Sequence, residues 1–183
     1  MLTAELEGKT VAFLVANEGV EQIELTEPWQ AVELAGASPR LIAPCSDPVQ
    51  AFDHLEKAAT FQADLTVDEA DVSDYDALVL PGGVANPDRL RMVPDAVAFV
   101  AAFFRTGKPV AAICHAPWLL IEAEVVRSRL LTSYPSLQTD LRNAGATWLD
   151  EEVVICTAGR NTLITSRRPG DLKAFTEALL EHF

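Results

Sequence analysis

Short apolar runs recur along this chain with helically spaced segments between them, and that alternation constrains the fold more than any other feature. Residues 11–15 (VAFLV), 40–43 (RLIA), 76–80 (DALVL) and 109–113 (PVAAI) are each of strand length. A strand buried on both faces shows no polar alternation, and this is the pattern of a parallel sheet covered by helices. Residues 20–35 place Leu25, Trp29, Val32 and Gly36 near one helical face, with Pro28 requiring either a late start or a kink. Residues 94–105 read as helix, with Pro94 in a tolerated first-turn position and Gly107 as C-cap. Further helices are predicted over 136–143, capped by Gly145, and over 171–182.

The remaining segments are less regular. Two weakly alternating stretches within 52–67 predict a hairpin laid on the edge of the sheet. Residues 130–132 read as a strand. Residues 153–157 and 163–165, separated by Gly159-Arg160-Asn161, read as a hairpin or two strands. Strands alternating with helices predict one α/β sandwich domain over 1–183 with a mostly parallel sheet, and 183 residues is a length for one core, not two.

Composition excludes several classes of function. The formal net charge of −13 argues against stable nucleic-acid binding, which needs Lys/Arg clusters, and against an anionic membrane surface. Three cysteines, Cys45, Cys114 and Cys156, contain no C-x-x-C, which predicts neither a disulfide framework nor a thiolate metal site. The first eight residues lack a basic region followed by an apolar one, and no apolar run nears the ~20 residues of a membrane span. A cytoplasmic setting is the expectation, with no cofactor and no metal.

In sheets of this kind ligands bind beyond the carboxyl ends of the strands. Two features collect there: Pro81-Gly82-Gly83 after one strand and Cys114 after another. Paired glycines let backbone N–H groups approach a ligand closely, although alone they read as a tight turn. Cys114 sits where the run 109–113 gives way to the helical segment Pro117-Trp-Leu-Leu-Ile121, so a helix N-terminus beside an exposed thiol is expected to lower its pKa. Cys156 within a strand reads as a small buried hydrophobe, and Cys45 as incidental. His115 is a candidate base, yet side chains of neighbours on a turn point apart, so a direct Cys114–His115 bond is expected to be strained. His54 and His182 belong to no cluster and read as surface residues. Glu18, Glu21 and Glu24 follow the first strand, and each is a candidate to share a proton with the thiol; periodicity does not choose among them.

Taken together, residues 13–18 (FLVANE), Glu21-x-x-Glu24-Leu-Thr-x-Pro28, 76–83 (DALVLPGG), 107–115 (GKPVAAICH), 132–135 (TSYP), 143–145 (NAG), 152–154 (EVV) and 165–169 (TSRRP) resemble the DJ-1/PfpI superfamily. The similarity is greatest to its PfpI-like intracellular cysteine hydrolases and general stress proteins, and it runs in order through nearly the whole chain. It implies a flavodoxin-like fold related to class I glutamine amidotransferases. It also implies Cys114 as nucleophile, Glu24 as the acid beside it, and the N–H groups of Gly83 and His115 as an oxyanion hole. In the PfpI-like branch a carboxylate from a neighbouring subunit completes a Cys-His-acid triad. The matching position here is Asp88, in a loop 84–89 (VANPDR) one residue longer than the family's usual form. A homodimer or larger homo-oligomer is thereby implied. Tyr134 matches a pocket-wall position, and Trp118 stands where the family has a smaller or polar residue, so it is expected to narrow the pocket. Ala116 replaces the family's glycine.

The activity implied is stress-protective, cysteine-dependent hydrolysis of a small carbonyl compound or a modified protein or peptide, of deglycase or protease-like type. The competing expectation is a non-enzymatic redox sensor or chaperone in which Cys114 is oxidised. A glutaminase is disfavoured: that related class needs a His-x-Glu later in the chain, and only His182 follows His115.

Overall fold

The computed structural model describes residues 6–183; residues 1–5, on which part of the expectation of no signal peptide falls, lie outside them. In chain order the elements are β1 (Thr10–Leu14), β2 (Glu18–Glu21), α1 (Gln22–Leu34), β3 (Ser38–Ala43), β4 (Val49–Asp53), β5 (Glu56–Phe61), β6 (Leu65–Thr66), β7 (Ala77–Leu80), α2 (Ala85–Leu90), α3 (Pro94–Thr106), β8 (Val110–Ile113), α4 (Pro117–Glu122), β9 (Leu130–Leu131), α5 (Gln138–Asn143), β10 (Thr147–Trp148), β11 (Val153–Cys156), β12 (Leu163–Ser166) and α6 (Leu172–His182).

Seven strands form the central sheet in the order β11-β12-β8-β7-β1-β3-β6. Every neighbouring pair is parallel except β11 and β12, which form an antiparallel hairpin at one edge. Successive side chains of a strand point to opposite faces, and β1 shows it. Ala12 and Leu14 enter the core that holds Phe99 and Phe103 of α3, while Val11 and Phe13 enter the core that holds Leu25 of α1 and Phe175 of α6. Both faces are covered, which is why the strand sequences are apolar throughout. Burying a phenylalanine such as Phe103 in this way is worth roughly 3–5 kcal/mol against truncation to alanine.

Three expectations are corrected. The first helix starts at Gln22, because Val20 lies in β2, which pairs with β4; the helix then runs on through Pro28. The hairpin predicted within 52–67 exists as β4 and β5, but its sheet partner is β2, and the edge of the central sheet is β6. The segment after Gly83, expected as a loop, is the short helix α2. Gly107, with φ +83°, ends α3 in the left-handed C-cap conformation that its position predicts. None of the described helices is long and apolar enough to cross a membrane.

Candidate active site

The parallel order places the ends of β1, β7 and β8 side by side, so the loops that leave them meet. Cys114 follows β8 directly and has φ +63°, a left-handed conformation costly for a residue with a Cβ. The surroundings impose it: the Cys114 N–H donates to the Ser166 carbonyl at the end of β12 (3.0 Å), and the Cys114 carbonyl accepts from the Tyr134 N–H (2.8 Å). Strain of roughly 1–3 kcal/mol held this way is characteristic of functional positions.

Gly82 shows how closely the loops meet. Its N–H donates to Glu24 Oε2 at 2.9 Å, and a Cβ at this position would lie 2.4 Å from that oxygen and 2.6 Å from the Cys114 Cβ. Gly83 has φ +85°, and a Cβ there would lie 2.3 Å from the Gly19 carbonyl oxygen. Asn86 of α2, fully buried, ties the loops together. It donates to the carbonyls of Pro81 (2.9 Å) and Gly82 (3.0 Å) and accepts from the Ala16 N–H (2.6 Å).

Of the three glutamates after β1, the fold brings Glu24 to the thiol. Its side chain is wholly buried, Oε1 has no hydrogen-bond partner, and its carboxyl and the Cys114 thiol influence each other's titration. Burial, reinforced by the charge of Glu21, pushes the Glu24 carboxyl up to about 8. It therefore keeps its proton at neutral pH and can donate to sulfur. Glu21 instead accepts the His54 N–H at 3.1 Å, and Glu18 pairs with Arg89 at 3.1 Å.

The expected low thiol pKa is overturned. Cys114 is only 6% exposed, and burial, followed by the charge of Glu24, pushes its thiol upward; the N–H groups of Gly83 and His115 act the other way. The helix after it, α4, has six residues and begins three positions beyond the cysteine, so its dipole does not dominate. The expectation of strained Cys–His contact is also corrected: Cys114 Sγ lies 3.1 Å from His115 Nδ1. The left-handed turn at Cys114 accompanies this contact between neighbours in sequence. Burial pushes His115 down to about 4, so the ring is neutral at physiological pH.

The Gly83 and His115 N–H groups have no carbonyl acceptor among the described residues and both act to lower the Cys114 thiol's pKa. They are placed to receive an oxygen that develops charge beside the sulfur. Above lies a cavity of about 850 Å³ whose lining includes Glu24, Gly83, Cys114, His115, Tyr134 and Arg168. The Tyr134 ring stacks on His115 with centroids 4.5 Å apart.

Trp118, expected in the wall, does not line this cavity. Its indole N–H donates to Asp140 (3.0 Å), which holds the ring on the α5 side, 5.2 Å from the His115 ring. Asp88 is exposed on α2, lines no part of the cavity, and makes no hydrogen bond or ion pair among the described residues. Within its own chain it does not meet His115, because α2 presents Asn86 inward and Asp88 outward.

Sequence reasoning missed three groups. Asn86, and Ser136, whose Oγ lies 3.3 Å from His115 Nε2, belong to no motif, and only their surroundings mark them. His54, read as an unattached surface residue, stands at the cavity rim with Nδ1 2.9 Å from Asp53 Oδ1 and 3.6 Å from Glu21 Oε1. Among the described residues Glu21, Asp53 and His54 are the one trio whose donor atoms fall within 4.8 Å of one another. Two of them are exposed and bonded to each other, an arrangement complete as a hydrogen-bonded rim.

Comparison with known proteins places this geometry among relatives. The model of the DJ-1/PfpI family matches residues 9–182. The chain is 40% identical over 177 residues to General stress protein 18 of Bacillus subtilis, covering 95% of this chain and 99% of that one. It is 41% identical over 165 residues to Deglycase PfpI of Pyrococcus furiosus, covering 90% and 93%. Among solved structures, a two-domain protein of Anabaena variabilis with DJ-1/ThiJ/PfpI-like and ferritin-like domains superposes with a TM-score of 0.87 at 38% identity. That match covers 94% of this chain and 49% of that one.

Proposed function

The chain belongs to the DJ-1/PfpI family, and from that premise we propose that it is a stress-protective, cysteine-dependent hydrolase of carbonyl-type substrates, of the deglycase kind. One observation carries the reading: Cys114, held in a left-handed turn on the cavity floor, has a neutral imidazole 3.1 Å from its sulfur and a protonated carboxyl behind it. In this reading the sulfur attacks the substrate carbonyl carbon as the thiol proton passes to His115 Nδ1. The carbonyl oxygen gains the charge and accepts the N–H groups of Gly83 and His115. Glu24 donates its proton toward sulfur and so offsets the cost of a buried thiolate. From a methylglyoxal hemithioacetal or hemiaminal, the adduct's thiol or amine leaves with the proton that His115 returns; the hydrogen on the attacked carbon then passes to the neighbouring ketone carbon, an internal oxidation and reduction that leaves a lactoyl thioester on Cys114, and water hydrolyses it.

The alternative of a redox sensor or chaperone draws less support, because a buried, protonated thiol is poorly oxidised and a sensor has no use for a base at 3.1 Å. A cytoplasmic setting is part of the proposal, since Cys45, Cys114 and Cys156 are all free thiols. So is a homo-oligomer, the only form in which Asp88 enters the site, as a group brought over from a second copy.

The test is turnover of methylglyoxal adducts of N-acetylcysteine and N-acetylarginine beside fluorogenic peptides, by the wild type and Cys114→Ala. Adduct hydrolysis that falls at least ~10²-fold in the variant supports the reading; equal rates would remove it.

A further inference from the structure

The peptide between Gly82 and Gly83 has little conformational preference of its own. Neither residue carries a Cβ, so the plane between them turns over at low cost unless something outside it intervenes. Its N–H, that of Gly83, is one of the two groups placed to meet a developing oxyanion, so its direction matters to the chemistry. In a trans peptide the carbonyl and the N–H point opposite ways. Fixing one aims the other.

Asn86 supplies that constraint. It is fully buried, and its Nδ2 donates to the carbonyls of Pro81 (2.9 Å) and Gly82 (3.0 Å), which belong to two successive peptides. The N–H of the first peptide, on Gly82, donates to Glu24 Oε2 at 2.9 Å. The N–H of the second, on Gly83, acts on the Cys114 thiol. One side-chain amide thus holds the carbonyl side of both peptides whose N–H groups serve the acid and the nucleophile. Its orientation is unambiguous, because Nδ2 meets only carbonyls while Oδ1 accepts from the Ala16 N–H at 2.6 Å. The other donor to the Gly82 carbonyl, the Glu21 N–H, is longer at 3.3 Å. Asn86 is itself held in place by close packing on Gly19, where a Cβ would lie 2.6 Å from the Ala85 Cβ and 2.8 Å from the Asn86 nitrogen.

We infer that Asn86 is the positioning residue of the oxyanion donor: by bonding the Gly82 carbonyl it aims the Gly83 N–H at the oxygen that gains charge, and by bonding the Pro81 carbonyl it aims the Gly82 N–H at Glu24. This rests on the reading of Cys114 as nucleophile. Asn86 does not line the cavity, so it acts only through the two peptides. Donation to the Gly82 carbonyl also polarises that peptide and strengthens its N–H as a donor.

The experiment compares full-length wild type, Asn86→Ala, Asn86→Ser and Asn161→Ala in kinetics on the hemithioacetal of methylglyoxal and N-acetylcysteine. The same proteins are treated with iodoacetamide at about pH 9, and Cys114 labelling is followed by peptide mapping. Asn161 is the control, being buried and bonded to a backbone carbonyl, that of Lys108 at 3.1 Å, but outside the cavity lining. Asn86→Ala should lower kcat about tenfold or more with KM within about twofold, approaching the roughly 10²–10³-fold cost of losing an oxyanion donor outright. Its Cys114 labelling should slow about threefold, because a misaimed Gly83 N–H no longer favours the thiolate. Asn161→Ala should keep kcat within about twofold of wild type, without slower labelling. Asn86→Ser, a milder change that leaves a hydroxyl, should fall between wild type and Asn86→Ala. Wild-type kcat in Asn86→Ala, or in Asn86→Ser where the alanine variant does not fold, overturns the inference. So does faster Cys114 labelling, the mark of a site merely loosened, or an equal loss of kcat in Asn161→Ala. Full turnover by Cys114→Ala would defeat the hydrolase reading alone, because labelling judges Asn86 without any turnover.

Discussion

Cys114 and His115 are consecutive in the chain, and their side chains meet at 3.1 Å, sulfur to Nδ1. An extended or helical backbone would send the two apart. Here the left-handed φ of +63° at Cys114 folds the chain between them. The strained backbone residue and the sulfur–imidazole contact are therefore one feature, and its consequences are measurable.

Activity should follow a bell in pH. His115, depressed to about 4 by burial, is neutral above that value, so the base is available from about pH 5 upward. Glu24, raised to about 8 chiefly by burial, loses its proton above that value and sets a charge against the thiolate. Profiles of kcat/KM should show limbs near 4 and 8. An acid limb near 6.5, the ordinary histidine value, would contradict the burial of the ring.

Glu24 should also make the fold lose stability with rising pH. Its native pKa lies above the unfolded value of 4.5, so the native state holds the extra proton between about 4.5 and 8. Unfolding free energy from this group is retained below that window and lost as pH rises through it, by on the order of 5 kcal/mol in total. His115 has the opposite sign, because its depressed pKa costs stability as pH falls toward 4. The comparison is therefore cleanest between pH 6.5 and 8.5. Denaturant titrations of the wild type should lose stability across that range while Glu24→Gln stays flat.

Gly82→Ala should be damaging out of proportion to one methyl. The added carbon would stand 2.4 Å from Glu24 Oε2, 2.6 Å from the Cys114 Cβ and 2.7 Å from the Ile113 carbonyl oxygen. Two of these neighbours are backbone or backbone-fixed, so the loop must shift. A loss of roughly 1–3 kcal/mol in chemical denaturation, with a fall in kcat, is expected. Wild-type kinetics would show that the loops are not so tightly joined.

Limiting iodoacetamide at neutral pH should label Cys45 before Cys114. Cys45 is exposed, whereas Cys114 is buried and its thiol is pushed up. This reverses what the strand-to-helix position of Cys114 suggests in the sequence. Peptide mapping that found Cys114 modified first would mean that Glu24 and the two N–H groups outweigh burial in the resting protein.

Much of the fold was legible because its signals are local. The apolar runs at β1, β7 and β8 report burial on both faces, and Gly107 reports a helix end through its own left-handed φ. The start of α1 was misjudged because nothing near Val20 announces β4, its pairing partner some thirty positions later. At the site, the sequence by itself determined that Cys114, His115 and Gly82-Gly83 stand at strand exits, for the order of runs and turns requires it. Only the tertiary structure decided what surrounds them. The Glu24–Gly82 bond joins residues 58 apart, and Ser136 reaches His115 across 21 positions. The protonation states of thiol, imidazole and carboxyl depend on how completely distant segments exclude water from them. Spacing along a chain records which face a residue takes, but the dielectric around a side chain is set by neighbours that the fold alone assembles.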